Sequence, residues 1–382
     1  MIFLIVVGLS ILAIFLLFIL PKKDKVLSDY YLIAIIFFFA GILGTHIIME
    51  KWLSIEAYLI SLFFNTYYFP VLMIYGLILL SGNNKFNKQW LWIYGYPIVY
   101  TIFILLDVLV LNDYGSPVAV QKLFTEPSKY QLFFYLTQYI YVIVLLIWLW
   151  KKLKAYTLEI KSRYSTIEHI NLNWFRFFIL SFLCLSSIGL VIFTSFSAGI
   201  IKNIEIPFGI EYMIFIILLF YLCYNGIKQY SLASVRNNDE IILVSGSRKN
   251  VLVTEKYQSS SLTKENIDTY FKEIVQLFDQ EKLFLEPQFK IEEIAQRLNI
   301  SVHKVSQIIN SKSNKTFFDF VNRYRVEHFK KLLSDPNNHK FTILSMGIES
   351  GFNSKASMNR VFKNFVGQSP KEFQQNQSPR TI

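Results

Sequence analysis

The 382-residue sequence predicts an all-α protein: a seven-helix transmembrane bundle, a cytoplasmic linker, and an all-helical domain carrying two helix-turn-helix patterns in tandem. Three observations predict it. The chain is 53% apolar and only 17% charged, whereas a soluble protein of this size carries about a quarter charged residues. The charge is unevenly spread, with 15 Lys+Arg and 11 Asp+Glu in residues 1–227 against 23 and 16 in residues 228–382. The last hundred residues hold two copies of a short helix, a turn and a second short helix.

A helix crossing a bilayer needs about 20 apolar residues, and seven such runs occur at 1–20, 30–49, 57–80, 91–111, 130–150, 174–194 and 207–227. Basic residues in short loops mark the inner side. Loops after the first, third and fifth runs hold ten: Lys22, Lys23, Lys25, Lys85, Lys88, Lys151, Lys152, Lys154, Lys161 and Arg163. The alternate loops hold four: Lys51, Lys122, Lys129 and Lys202. This places the N-terminus outside and the C-terminal domain in the cytoplasm, as expected of a multi-pass membrane protein. The first run lacks a basic n-region and ends in Pro21-Lys22-Lys23, the edge of a retained helix rather than a signal-peptide cleavage site. Cys184 and Cys223 fall at different expected depths, a packing role with no disulfide framework or metal site.

Polar side chains within spans are costly and usually face the bundle interior. His46, Asn65, Asp107 and Glu211 all fall in the expected outer half. One reading is a sensor pocket open to the outside; the other puts His46, Asp107 and Glu211 at the headgroup level. Arg176, at the inner start of the sixth run, suits a snorkelling anchor.

Residues 228–281 read as the linker, with Ser, Asn and Gly clusters around IILV and VLV segments able to form short strands. From Asn266 to Lys282 the apolar residues Ile267, Tyr270, Phe271, Ile274, Val275, Leu277 and Phe278 recur at helical spacing, with Thr263 as an N-cap. That stripe packs on the following domain or on a second copy of itself, the latter making a homodimer through residues 264–282.

Residues 282–382 carry 16 Lys+Arg against 8 Asp+Glu, a basic balance that suits an anionic partner. In KIEEIAQRLNISVHKVSQIIN, residues Ile291, Ile294, Ala295 and Leu298 form one apolar face. Asn299 tolerates the left-handed turn conformation, and Ser301 caps a second helix that turns Val302, Val305, Ile308 and Ile309 inward. His303, Lys304, Ser306, Gln307 and Asn310 remain outside, able to reach bases or phosphates. The segment GFNSKASMNRVFKNFVGQSP repeats the device. Ile343, Met346, Gly347 and Ser350 face inward before a Gly351-Phe352-Asn353 turn. Ser354 then caps a helix that buries Met358, Val361, Phe362 and Phe365 and leaves Lys355, Ser357, Asn359, Arg360 and Lys363 outside. An amphipathic helix over 316–333 separates the units, letting two recognition helices enter major-groove segments about one turn apart.

With these motifs in place, residues 282–382 resemble the DNA-binding domain of the AraC/XylS family of bacterial transcription regulators. The resemblance rests on IEEIAQRLNIS, FDFVNRYRVEHFKKLL and ESGFNSKASMNRVFKNFVGQSPKEF, where Gly351, Phe352, Arg360, Phe362, Lys363, Gly367 and Pro370 match the family signature. Gly347 in place of Ala, Phe329 in place of a small residue, Met358 in place of an aromatic and Asn314 in place of Gly depart from it. The resemblance implies base reading by His303, Ser306 and Gln307 in the first unit and by Lys355, Ser357 and Arg360 in the second. Lys304, Arg323 and Lys363 then serve phosphates. Gly351 permits the turn, Phe352 plugs the core, and Gly367 with Pro370 ends one helix and begins the next.

The five histidines show no metal-ligand spacing, and no GxGxxG, GxxxxGK[ST], GxSxG or HExxH pattern occurs. The expectation is therefore a non-enzymatic, cofactor-free, membrane-anchored regulator. Its partners would be double-stranded DNA, the lipid bilayer and an extracytoplasmic or lipid-soluble ligand. The alternative is a transporter or solute-binding protein with an autoregulatory DNA-binding domain. Pro70 and Pro97 interrupt spans, but no internal repeat accompanies them.

Overall fold

The computed structural model describes residues 25–51, 54–81, 86–108, 129–168, 170–201, 213–229 and 264–377, with short pieces at 8, 14–16, 19–21 and 210–211. Among these residues the regular elements are helices, and the one β-type pairing is an isolated antiparallel bridge between Tyr164 and Lys290. The chain divides into two compact units, residues 1–154 with 172–235, and residues 155–171 with 236–382.

The first unit contains α1 (Leu27–Lys51), α2 (Ile55–Ser81), a 3-10 turn (Lys88–Tyr94) leading into α3 (Gly95–Leu106), most of α4 (Lys129–Arg163), α5 (Asn173–Ser197) and α6 (Met213–Gln229). Five stretches are long and apolar enough to cross a membrane: Leu27–Thr45, Ile55–Ser81, Lys88–Leu106, Leu132–Arg163 and Asn173–Ser197. They coincide with the second to sixth expected runs. The seventh shows as the shorter apolar α6, and most of the first lies outside the described residues.

Neither proline breaks a span. Pro97 occupies the first turn of α3, where a backbone N–H has no intrahelical partner to lose. Pro70 does sit inside α2, but the helix continues past it through a fully packed stretch from Phe69 to Ile78.

Helix α4 overruns the expected end of the fifth run at residue 150 and continues to Arg163, so the basic cluster Lys151 to Arg163 lies on a helix rather than a loop. The sequence KKLKAYTLEIKSR contains no glycine or proline to stop it, and Glu159 pairs with Arg163 one turn on at 3.5 Å.

The second unit is built around α10 (Phe317–Ser334), which has apolar residues on two faces. One face sends Phe317, Phe320 and Val321 into a core with Ile291, Ile294, Val305, Ile308 and Ile309. The other sends Phe318, Val326, Phe329 and Leu333 into a core with Met346, Phe352, Met358 and Phe362. A shared central helix thus carries both hairpins. Helix α7 (Lys264–Glu281) buries Ile274 and Phe278 in the first of these cores, with Ile267, Tyr270 and Phe271 packed alongside. Of the two covers expected for this stripe, the following domain supplies one, with the Phe278 ring set among Phe284, Phe289, Phe320 and Tyr324. Thr263 and the IILV and VLV segments lie outside the described residues.

Candidate nucleic-acid interface

The first hairpin pairs α8 (Ile291–Arg297) with α9 (Val302–Ser313). Glu293 accepts the Lys290 N–H at 3.0 Å to open α8, and Asn299 makes the turn at φ 51°, a conformation that Asn adopts more readily than most residues. Ser301 Oγ accepts the Lys304 N–H at 3.3 Å and caps α9. Ala295 is buried against the hairpin core. This leaves His303 and Gln307 exposed on α9, with Lys304 and Ser306 half-buried beside them. Asn314 ends α9 at φ 51° and returns its N–H to the Asn310 carbonyl, so this Asn performs the left-handed cap that a glycine usually supplies.

The second hairpin pairs α11 (Ile343–Glu349) with α12 (Lys355–Val366). Gly351 turns the chain at φ +89°, and a Cβ there would run into the Phe284 carbonyl oxygen and lie 3.0 Å from Arg325 Nε. Both conformation and space demand glycine. Phe352 and Phe362 are fully buried. Ser354 Oγ accepts the Ser357 N–H at 3.1 Å to cap α12, and Gly367 closes it at φ +84°. Pro370 then opens α13 (Pro370–Gln377). Lys355, Arg360 and Lys363 are exposed on α12, and Arg323 is exposed on α10.

Ser357 differs from expectation. It is 6% exposed, because its hydroxyl donates to Glu168 Oε1 at 2.6 Å, and the same oxygen pairs with Arg360 Nη2 at 2.5 Å. Glu168 belongs to the connection between α4 and α5, which groups with the helical domain.

The connection is anchored by backbone-directed bonds. Ser165 donates its hydroxyl to the Phe289 carbonyl at 2.6 Å, and Thr166 donates to the Pro287 carbonyl at 2.6 Å. Asn322 Nδ2 donates to the Ser165 carbonyl at 3.1 Å. Arg325, 1% exposed, donates to the carbonyls of Phe284 and Glu286 at 2.7 Å and to Ser165 Oγ at 3.1 Å. Ile160 and Ile167 enter the second core. Sequence reasoning missed this segment. Its only signal was STIEHI, an acidic, apolar-alternating stretch after a run of lysines.

The four polar residues of the first unit meet different neighbours. Asn65 donates to the Ser61 carbonyl at 2.9 Å, Asp107 is buried after the last turn of α3, and Glu211 lies against Gly189 and Tyr139. His46 is placed in α1, with its side chain outside the description. Asn65, Asp107 and Glu211 are not among the residues lining the cavity of about 520 Å³ between Trp92, Tyr96, Phe133, Phe134, Tyr141 and Trp148. The hydroxyls of Tyr96 and Tyr141 already donate to protein carbonyls at Phe134 and Ile93, which leaves that cavity an apolar wall.

Residues 294–376 match the family model described as "Helix-turn-helix domain". A relative from Streptococcus mutans, "Msm operon regulatory protein", is 24% identical over 152 residues, covering 38% of this chain and 52% of that protein. The chain thus spans about half the length of this relative. A solved protein of unknown function from Listeria innocua is 21% identical and covers 28% of this chain and 95% of its own, with a TM-score of 0.25, too low to carry an argument. The tandem hairpins on α10 and the match to the helix-turn-helix model converge, and residues 294–376 form a helix-turn-helix domain of the AraC type.

Proposed function

We propose that this chain is a membrane-anchored transcription regulator whose second unit reads promoter DNA under the control of a signal received by the first. The observation that carries the reading is two capped recognition helices, α9 and α12, mounted on one shared helix with polar and basic outer faces. Major-groove readers need this arrangement. His303, Ser306 and Gln307 would meet one groove segment, and Lys355, Ser357 and Arg360 the next.

The sensing half is supported by the five membrane-length stretches and by the apolar cavity beside Trp92 and Trp148, which suits a lipid-soluble signal better than a polar one. A signal shifts such a protein only by binding one arrangement more tightly than another. Three chain connections carry that shift into the second unit: the continuous helix α4, the entry into α5 and the linker before α7. With its apolar stripe packed inside its own domain, α7 offers a homodimer little, and two reading heads in one chain allow action as a monomer.

The test uses the full chain in detergent micelles, because residues 155–171 complete the domain core. It would be mixed with random duplexes, with selection and sequencing at two salt concentrations. An enriched motif of two elements about one helical turn apart is expected. Binding with no preferred sequence, collapsing as salt rises, would reject the reading.

A further inference from the structure

The α4–α5 connection covers the DNA face of only one of the two recognition helices. Glu168 Oε1 takes both the Ser357 hydroxyl and the Arg360 guanidinium, two of the three groups on α12 suited to base edges. Its side chain is 15% exposed. Its second oxygen, Oε2, is buried without a hydrogen-bond partner among the described residues. The carboxylate is therefore held at the site while incompletely satisfied, which costs free energy.

What holds it is the rest of the segment. Ser165 and Thr166 bond to the Phe289 and Pro287 carbonyls, Arg325 grips Ser165, and Ile167 is buried. The chemistry that α12 offers DNA, a hydroxyl donor and a guanidinium, is met here by an anionic oxygen as it would be by a phosphate or a guanine edge. Duplex and Glu168 cannot both occupy those donors. On α9, by contrast, His303 and Gln307 stand exposed.

We infer that residues 164–168 form an autoinhibitory strap in which Glu168 occludes the second helix-turn-helix unit and leaves the first open. The inference rests on the DNA-reading function proposed above. The strapped protein engages one half of its site through α9, and release of the strap by the membrane half adds the second half. Regulation is then a change in the length of DNA read, with no change in the fold of either hairpin. The strap lies directly between α4 and α5, two helices of the first unit, so movement of either one pulls on it.

The test compares the full-length wild-type chain with Glu168→Gln in micelles, on the duplex enriched by selection. Glutamine keeps the shape and can still accept from Ser357, but it releases the charge pairing with Arg360. Expected are about tenfold tighter binding, equivalent to about 1.4 kcal/mol, and a hydroxyl-radical footprint that grows from one half-site to two. In an Arg360→Ala background the Glu168→Gln change should add nothing. Glu327→Gln, which removes an exposed carboxylate elsewhere on the domain, controls for net charge and should leave the footprint unchanged. Equal affinity and footprint for wild type and Glu168→Gln would overturn the strap while leaving the DNA-reading function standing. An equal gain from Glu327→Gln would overturn it as well, reducing the effect to overall charge. Failure of every variant to prefer any duplex would reject the DNA-reading function, and the strap with it.

Discussion

A Cβ built on Gly347 would overlap the Met358 thioether and lie 2.9 Å from its Cγ and 3.7 Å from Phe329 Cζ. Three departures from the family pattern thus meet at one point. The methyl missing from α11 makes room for an unbranched side chain on α12 and a large ring on α10, and Phe329 completes the cluster against Phe352 and Phe362. The volume is redistributed, not lost. Gly347→Ala should therefore destabilise the second unit by about 1–3 kcal/mol through overpacking. Met358→Ala should cost about 2–5 kcal/mol through the cavity it leaves. The double variant should cost less than the two together, with a coupling above about 0.5 kcal/mol. Denaturant titration of the four chains in micelles measures the cycle, and strict additivity would contradict the shared volume.

Arg325 holds the second unit together with no carboxylate paired to it among the described residues. Its guanidinium donates to carbonyls of Phe284, Glu286 and Ser165, an arrangement available to a rigid fork of five donors but not to an ammonium. Arg325→Met should orphan several buried acceptors, each costing about 1–3 kcal/mol. Arg325→Lys should recover only part of the loss. Hydrogen exchange at residues 164–167 and 284–289 should rise together in both variants; a rise at one site alone would mean that the arginine does not join them.

What was legible in the sequence was the local chemistry. Asn299 and Gly351 mark turns because few other residues take a positive φ there, and Ser301 and Ser354 mark helix starts because their hydroxyls accept the first free N–H groups. The strap was illegible for the opposite reason. Ser165 and Glu168 reach groups more than a hundred residues away, and the segment is anchored in part by bonds from Ser165 and Thr166 to backbone carbonyls, which every residue possesses. Ser357 was read as exposed from its helical position alone, and only a distant carboxylate makes it otherwise. The stripe on α7 showed that something must cover it, but periodicity does not say whether the cover is the same chain or another.

His328 gives the second unit a pH dependence of defined sign. Burial, and then the Lys282 charge, hold its imidazole below the usual value of about 6.5, with Glu349 opposing and Lys331 adding to the effect. The folded state therefore binds fewer protons than the unfolded one between the lowered value and about 6.5. Stability is fully present above about pH 6.5, falls as the pH drops toward the folded value, and then levels off. His328→Gln keeps a partner for Ser350 Oγ, which lies 3.3 Å from the imidazole Nδ1, and should flatten this segment of the stability profile. An unchanged slope in the variant would assign the pH dependence to another group.

Contacts to phosphate and contacts to bases separate by their response to salt. Arg323 and Lys363 are exposed on α10 and α12, and Lys304 flanks the exposed Gln307 on α9. Each lysine or arginine that neutralises a phosphate releases counterions, so its replacement by Ala should lower the slope of log affinity against log salt by about 0.9. The loss should be the same on every duplex. Gln307→Ala should leave that slope alone and instead cost about 1–3 kcal/mol of discrimination at a single base position. Titrations of the full chain at several salt concentrations, on the selected duplex and on one altered base pair, distinguish the two. A Gln307→Ala variant that weakened all duplexes equally would move this residue from the base-reading set to the phosphate set.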